Sequence, residues 1–136
     1  MSHLLFAYGT LKRGHRRHYV LQDQRSLGTA HTAPKYKIHQ YGGYPALIPA
    51  EDGNKIYGEL YEVSDSCIIE VDKIEGVSSG LFIRKNIELE SYNLFSLPLY
   101  KESSLKLFSN AAFAYYFVDV ERLSKLRDCG NNWTID

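Results

Sequence analysis

The sequence has no net charge, no long apolar run and only two cysteines. Lys and Arg together number 16, as do Asp and Glu, so the formal net charge is zero. A neutral chain has no long-range attraction for nucleic acid or for an anionic membrane surface. Basic residues interrupt the first twenty positions, and no apolar run approaches the length of a membrane span. We therefore expect a small-molecule partner, with no nucleic acid and no membrane, while the oligomeric state stays open.

The two cysteines, Cys67 and Cys129, lie far apart in the sequence and match no metal-ligand spacing. Two cysteines in a chain of this size are typical of reduced thiols in a reducing compartment, although a disulfide between them stays open. His15 and His18 would share a helix face, but a metal site needs further ligands and none is nearby. The sequence thus predicts a cytoplasmic protein that holds no metal.

The 136 residues suit one domain, residues 1–136, with a real hydrophobic core. Alternating residues predict a strand over residues 56–63. Apolar residues at helical spacing follow, and they predict a helix that begins at Ser64 or Asp65 and ends near Ile74. Strands therefore flank this helix on both sides.

Other segments are less regular. Residues 15–22 are a candidate for a second short helix, and residues 111–120 form the clearest buried strand. Breaker residues predict a loop over residues 41–45, and the tail after Gly130 is expected to be loosely held. The order of elements predicts an α+β fold: a small mixed, mostly antiparallel β-barrel or curled sheet with two short helices.

A short apolar run, Leu4 to Tyr8, stops at Gly9 and leads into Thr10 and Leu11. A strand that ends in glycine before a turn can direct successive backbone N–H groups outward, and such a cradle binds a carboxylate or a developing oxyanion. The Thr10 hydroxyl would add a donor. An ordinary β-turn explains the same residues, and spacing alone favours that simpler interpretation.

Four basic residues follow this loop within a few positions: Lys12, Arg13, Arg16 and Arg17. The simplest interpretation is a solvated surface. The cluster could also hold an anionic group of a substrate, and the sequence leaves both interpretations open.

Glu75 stands at the predicted end of the helix, directly before Gly76. The negative end of the helix dipole disfavours a carboxylate there. If the side chain also points into an apolar pocket, its pKa should rise toward neutrality, which suits a general base that must return its proton. A solvated surface acid is the alternative, and most glutamates are of that kind.

Short motifs stand along the chain in an order that resembles the γ-glutamyl cyclotransferase-like family, in particular its γ-glutamylamine cyclotransferase and avirulence-induced-gene branch. The resemblance covers residues 4–118, of which residues 93–110 match poorly, and Phe82 stands where relatives often carry Tyr. The matching motifs are Tyr-Gly-Thr-Leu-Lys-Arg-Gly at 8–14, Tyr44-Pro45, Gly-Glu-Leu-Tyr-Glu-Val at 58–63, Glu75-Gly76, Phe82 with Arg84, and Ala114-Tyr115-Tyr116.

The resemblance implies a fold, a reaction and a set of site residues. The implied fold is a single γ-glutamyl cyclotransferase-like domain. In the implied reaction, Glu75 takes a proton from the α-ammonium of a γ-glutamyl substrate, the freed amine attacks the γ-carbonyl, and 5-oxoproline and a free amine leave without any cofactor. The resemblance assigns substrate contacts to Tyr8, Gly9, Thr10, Leu11, Tyr44, Phe82, Arg84 and Tyr115.

Two alternatives to this enzyme stay open. A non-catalytic small-molecule-binding or regulatory module could keep the same pocket, although such a module has no reason to keep Glu75 at a helix end. A related transfer on a biosynthetic intermediate with a γ-glutamyl protecting group would use the same residues. Specificity for the leaving amine is expected from residues 41–45, Phe82 and the stretch after Tyr92.

Overall fold

The computed structural model describes residues 2–94, 112–119 and 128–134. Within these ranges the chain forms eight strands, one α-helix and a single-turn 3₁₀ helix. In chain order they are β1 (Ser2–Ala7), the 3₁₀ helix (His18–Leu21), β2 (Arg25–Thr32), β3 (Tyr36–Tyr41), β4 (Tyr44–Pro49), β5 (Tyr57–Ser64), α1 (Asp65–Ile74), β6 (Phe82–Asn86), β7 (Leu89–Leu94) and β8 (Phe113–Phe117).

Six strands form one sheet in the order β6-β8-β1-β5-β2-β7, and β3 pairs with β4 in a separate hairpin. All the ladders are antiparallel except the one between β1 and β8. The α+β class and the mostly antiparallel sheet are therefore confirmed. A barrel needs two partners for every strand. Because β6 and β7 each have one partner among the described residues, the predicted barrel is not closed there.

Helix α1 is confirmed, whereas the second predicted helix is not. The Ser64 hydroxyl caps α1 by accepting the Cys67 N–H at 3.1 Å, and Gly76 ends it with φ +72°. Residues 15–22 wind through i→i+3 hydrogen bonds, so only the 3₁₀ turn forms there. No helix in the described ranges is long and apolar enough to cross a bilayer.

The prediction of a loop over residues 41–45 is wrong. Strand β3 continues to Tyr41 and β4 begins at Tyr44, so only Gly42 and Gly43 join them. Two glycines suit a two-residue hairpin turn, where positive φ is required, and Gly42 has φ +58°. Pro45 is tolerated inside β4 because both strands of a two-stranded ribbon are edge strands.

Residues 131–134 are packed against the rest of the chain, contrary to the prediction for the tail after Gly130. The Trp133 side chain is fully buried, and the Tyr57 N–H donates to Asn131 O at 2.9 Å. Burial of a large apolar side chain contributes roughly 2–3 kcal/mol. This gain outweighs the usual looseness of chain termini, on which the prediction of a loose tail depended.

Strand β1 lies at the centre of the domain, and its side chains alternate between two hydrophobic clusters. Leu5 and Ala7 pack with α1 residues in one cluster, while Phe6 and Tyr8 pack with Trp133 in the other. All four are buried. The loop after β1 therefore emerges between the two cores, which fix it on both sides.

Candidate active site

A pocket opens where β1 ends, between the following loop and the end of α1. The empty space counted out to its open mouth is about 280 Å³, of which the centre of a water-sized sphere can occupy about 10 Å³. Residues 6–11 supply six of its nine lining residues, and β4, α1 and β8 supply the rest. Six of the nine are sequence-predicted site residues: Tyr8, Gly9, Thr10, Leu11, Glu75 and Tyr115.

Backbone hydrogen bonds fix the carbonyl groups of the loop. The Lys12 N–H donates to Gly9 O at 3.0 Å, and the Arg17 N–H donates to Thr10 O at 2.9 Å. Within the described residues, no turn or side-chain hydrogen bond uses the N–H groups of residues 9–11. These residues line the pocket, so their N–H groups can donate to an anionic group of a ligand.

Gly9 allows the β3–β4 hairpin to approach the loop. A Cβ atom added to Gly9 would lie 2.2 Å from Pro45 Cγ, closer than real Cβ contacts come. Any larger residue at this position would push the hairpin away. Gly9 and Pro45 therefore close one side of the pocket together.

Glu75 is the C-cap of α1, and its backbone N–H donates to Val71 O at 2.9 Å. Glu75 is half-buried, and burial of its carboxyl group raises the pKa of Glu75 to about 7, against a smaller lowering by the Arg17 charge. The raised pKa of Glu75 is caused by burial more than by the helix dipole, on which the sequence argument relied. None of the hydrogen bonds within the described ranges involves the Glu75 side chain.

Tyr8 stands beside this acid. Its hydroxyl donates to Tyr115 O at 2.6 Å. Burial raises the pKa of Tyr8, and the negative charge of Glu75 raises it further. Tyr8 therefore stays a neutral phenol, whose fixed hydroxyl helps to hold the pocket wall.

A second acid on the same helix, Asp72, anchors the wall formed by β8. The Tyr115 hydroxyl donates to Asp72 Oδ1 at 2.6 Å. Arg84 donates from Nε to Asp72 Oδ1 at 3.0 Å and from Nη2 to Asp72 Oδ2 at 3.3 Å. Sequence reasoning missed this role of Asp72, although its i, i+3 spacing from Glu75 places both acids on one helix face.

Three predicted substrate contacts lie outside the pocket lining. Phe82 is buried in the core, edge-on to Phe117 with ring centroids 5.4 Å apart. The Arg84 guanidinium is bound to Asp72. Tyr44 adjoins the pocket through its neighbour Pro45. The stretch after Tyr92, expected to shape specificity, falls mostly outside the described residues.

Comparison with known proteins shows which family the chain belongs to. The model of the family described as "Gamma-glutamyl cyclotransferase, AIG2-like" matches residues 5–133. The chain belongs to this family. The match includes the loop after β1, the end of α1 and the buried tail, so it covers every element of the pocket. The family membership predicted from the motifs is confirmed.

Relatives of the chain include curated proteins and a solved structure. The Vibrio cholerae "Putative gamma-glutamylcyclotransferase" is 29% identical over 131 residues, 96% of each chain. The Bos taurus gamma-glutamylaminecyclotransferase is 34% identical over 79 residues, 52% of this chain and 47% of the bovine protein. The crystal structure of a Mus musculus AIG2-like protein covers 96% of this chain and 87% of its own, with a TM-score of 0.74 and 20% identity. This last likeness shows the shared fold.

Proposed function

We propose that the chain is a γ-glutamyl cyclotransferase, which converts a γ-glutamyl amine or amino acid into 5-oxoproline and a free amine. One observation carries the proposal: Glu75, with a pKa of about 7, lies in the same pocket as the loop N–H groups of residues 9–11. A group whose pKa is near the working pH can both accept and donate a proton.

The reaction needs the transfer of two protons and one exchange of bonds. The Glu75 carboxylate takes a proton from the α-ammonium of the substrate. The freed amine attacks the γ-carbonyl carbon, and a new C–N bond closes the five-membered ring. The bond to the leaving nitrogen then breaks while Glu75 returns the proton to that nitrogen. The ring nitrogen loses its second proton through the regenerated Glu75 carboxylate to the leaving amine, which departs as an ammonium ion. The proposed reaction consumes no water and uses no cofactor.

The pocket supplies the remaining requirements of this chemistry. The N–H groups of residues 9–11 can bind the substrate carboxylate or the oxyanion that develops at the γ-carbonyl. Attack within one molecule is fast when the two reacting groups are held in contact, so positioning is the main task. Tyr8 and Tyr115, fixed by their hydrogen bonds, keep the opposite wall in place.

The substrate panel for the first test follows from the names of relatives. One is the bovine gamma-glutamylaminecyclotransferase, and another is the Niallia circulans cyclotransferase named for γ-L-glutamyl-butirosin B. The purified protein should be incubated with γ-glutamyl amines, γ-glutamyl amino acids and a γ-glutamyl aminoglycoside, and 5-oxoproline measured. Release from none of them would favour the non-catalytic binding module.

A matched pair of variants tests the role of the acid. Glu75→Gln should abolish 5-oxoproline release while binding of the substrate persists, because the amide keeps the shape of the side chain but carries no proton to exchange. Glu70→Gln makes the same change on an exposed face of α1, where Glu70 pairs with Lys73 at 3.4 Å, and should leave turnover intact. Equal activity of the two variants would refute the mechanism.

A further inference from the structure

Arg16 and Arg17 place two guanidinium groups on one aromatic ring beside the pocket. The guanidinium carbon of Arg16 lies 4.7 Å from the ring centroid of Tyr44, and that of Arg17 lies 4.3 Å away. Arg16 is exposed and Arg17 is half-buried. Stacking on one ring holds both planar groups in fixed positions.

The contacts of Arg17 place it on the Glu75 side of the pocket. Its Nη1 donates to Ile74 O at 3.3 Å, and Ile74 directly precedes Glu75. It stacks on Tyr44, which directly precedes the wall residue Pro45. The Arg17 guanidinium therefore lies beside the pocket, between the neighbours of two of its lining residues, and its charge acts on Glu75.

Neither arginine of this pair forms a salt bridge in the described structure, and the acid on which the Arg17 charge acts is Glu75 in the pocket. The ion pairs among residues 2–94, 112–119 and 128–134 involve other residues. The hydrogen-bond partners of the two guanidinium groups are neutral carbonyls, Gly43 O at 2.6 Å for Arg16 and Ile74 O for Arg17. Two adjacent guanidinium groups with neutral partners favour the binding of an anion, most strongly a carboxylate.

The order of events in the pocket indicates which anion this is. Glu75 must reach both the α-ammonium and the nitrogen of the leaving amine, so both nitrogens lie beside Glu75. The loop N–H groups of residues 9–11 serve the glutamyl half. A carboxylate on the leaving amine would lie within a few bonds of the leaving nitrogen, on the side where Arg17 stands.

We propose that Arg17, assisted by Arg16, binds a carboxylate of the leaving group, so that the substrates are γ-glutamyl amino acids in preference to uncharged γ-glutamyl amines. This inference rests on the proposed cyclotransferase function and narrows its substrate class. Arg17 is then a specificity-determining residue, since its guanidinium contacts the part of the substrate that leaves.

The test uses two substrates that differ only in this carboxylate, γ-glutamylalanine and γ-glutamylethylamide. The wild-type protein should prefer γ-glutamylalanine by about 10- to 100-fold in kcat/KM, the range expected for a charge-assisted hydrogen bond. On the high-pH plateau of the rate, where Glu75 is deprotonated in both proteins, Arg17→Gln should bring the ratio close to one by slowing γ-glutamylalanine alone, and Arg17→Lys should restore part of the preference. Lys85→Gln removes the same charge from β6, outside this pocket lining, and should preserve the ratio.

The outcomes separate this inference from the function on which it rests. Equal turnover of both substrates by the wild-type protein would overturn the inference and leave the cyclotransferase function standing. Equal slowing of both substrates by Arg17→Gln would also overturn it, since Arg17 would then serve the glutamyl half or Glu75. Turnover of neither substrate, nor of the wider panel, would remove the function itself. The ratio of kcat/KM for the two substrates in the wild-type protein tests the inference even if the Arg17→Gln variant does not fold.

Discussion

Asp72 and Glu75 lie one turn apart at the end of the same helix, yet their surroundings differ completely. Asp72 accepts hydrogen bonds from Arg84 and from the Tyr115 hydroxyl. Glu75 lies in the pocket, and no hydrogen bond within the described residues reaches its carboxyl group. The carboxylate of Asp72 is thus compensated by a cation, whereas the carboxyl group of Glu75 is buried in surroundings of low dielectric constant.

In the proposed mechanism, this difference separates an acid that holds strands against a helix from an acid that carries a proton. Asp72 holds β6 and β8 against α1 through Arg84 and Tyr115. Burial raises the pKa of Glu75 to about 7, so its charge changes within the range where a proton carrier works. The roles of the two acids therefore depend on the neighbours that other strands bring to them, and not on the type of residue.

The largest expected effect is on turnover. Glu75→Gln should lower kcat by about 1,000-fold, the middle of the range for general acid–base catalysis, because no other carboxylate among the described residues lines the pocket. Asp72→Asn should lower it by roughly 10-fold through a misplaced Tyr115 wall, a displacement that costs part of the positioning. Steady-state 5-oxoproline release measures both. Losses of equal size would remove the distinction between the two acids.

The second effect is on stability: loss of the Glu75 charge should make the folded protein more stable near pH 8. The pKa of Glu75 is about 7 in the folded protein against an ordinary 4.5, so its contribution to stability is fully present below about pH 4.5 and is lost as the pH rises through 7. Glu75→Gln keeps that contribution. Urea unfolding should therefore show the variant to be more stable than wild type by about 3 kcal/mol near pH 8 and equally stable near pH 4. A destabilised Glu75→Gln near pH 8 would contradict the buried, charged state.

The neighbouring acid should respond in the opposite direction. Asp72→Asn removes the charge that Arg84 faces, and both side chains are about three-quarters buried. We expect a loss of about 2 kcal/mol in the free energy of unfolding near pH 8, because a partly buried cation is left uncompensated. Urea unfolding beside the exposed control Glu70→Gln measures it. A gain in stability would show that the Asp72–Arg84 pair costs more than it contributes.

The smallest expected effect is a shift in pH dependence. The rate should rise with pH through about 7 as Glu75 loses its proton. The positive charge of Arg17 lowers the pKa of Glu75 against the effect of burial, so Arg17→Gln should move this rise to higher pH. Arg17→Lys keeps the charge and should move it less. A shift to lower pH in Arg17→Gln would place Arg17 away from Glu75.

The parts of the site that lie within one motif could be predicted from the sequence. The strand, turn and glycine at residues 4–11 and the helix end at Glu75 are local features, and each forms as its residues dictate. The Asp72 network could not be predicted, because its partners come from β6 and β8 through sheet order. The buried Trp133 and the approach of Pro45 to Gly9 are likewise tertiary contacts. Breaker residues made the hairpin look like a loop, and the usual looseness of chain termini was the ground for the prediction about the tail.

The titration of Glu75 itself tests the central claim most directly. In protein labelled with ¹³C at the glutamate side chains, Glu75→Gln identifies the resonance of the Glu75 carboxyl carbon, and the exposed Glu70 provides an internal reference. The account predicts a Glu75 midpoint at about 7. A midpoint near the ordinary 4.5 would show a solvated carboxylate and would contradict the account of Glu75 as the proton carrier of the pocket.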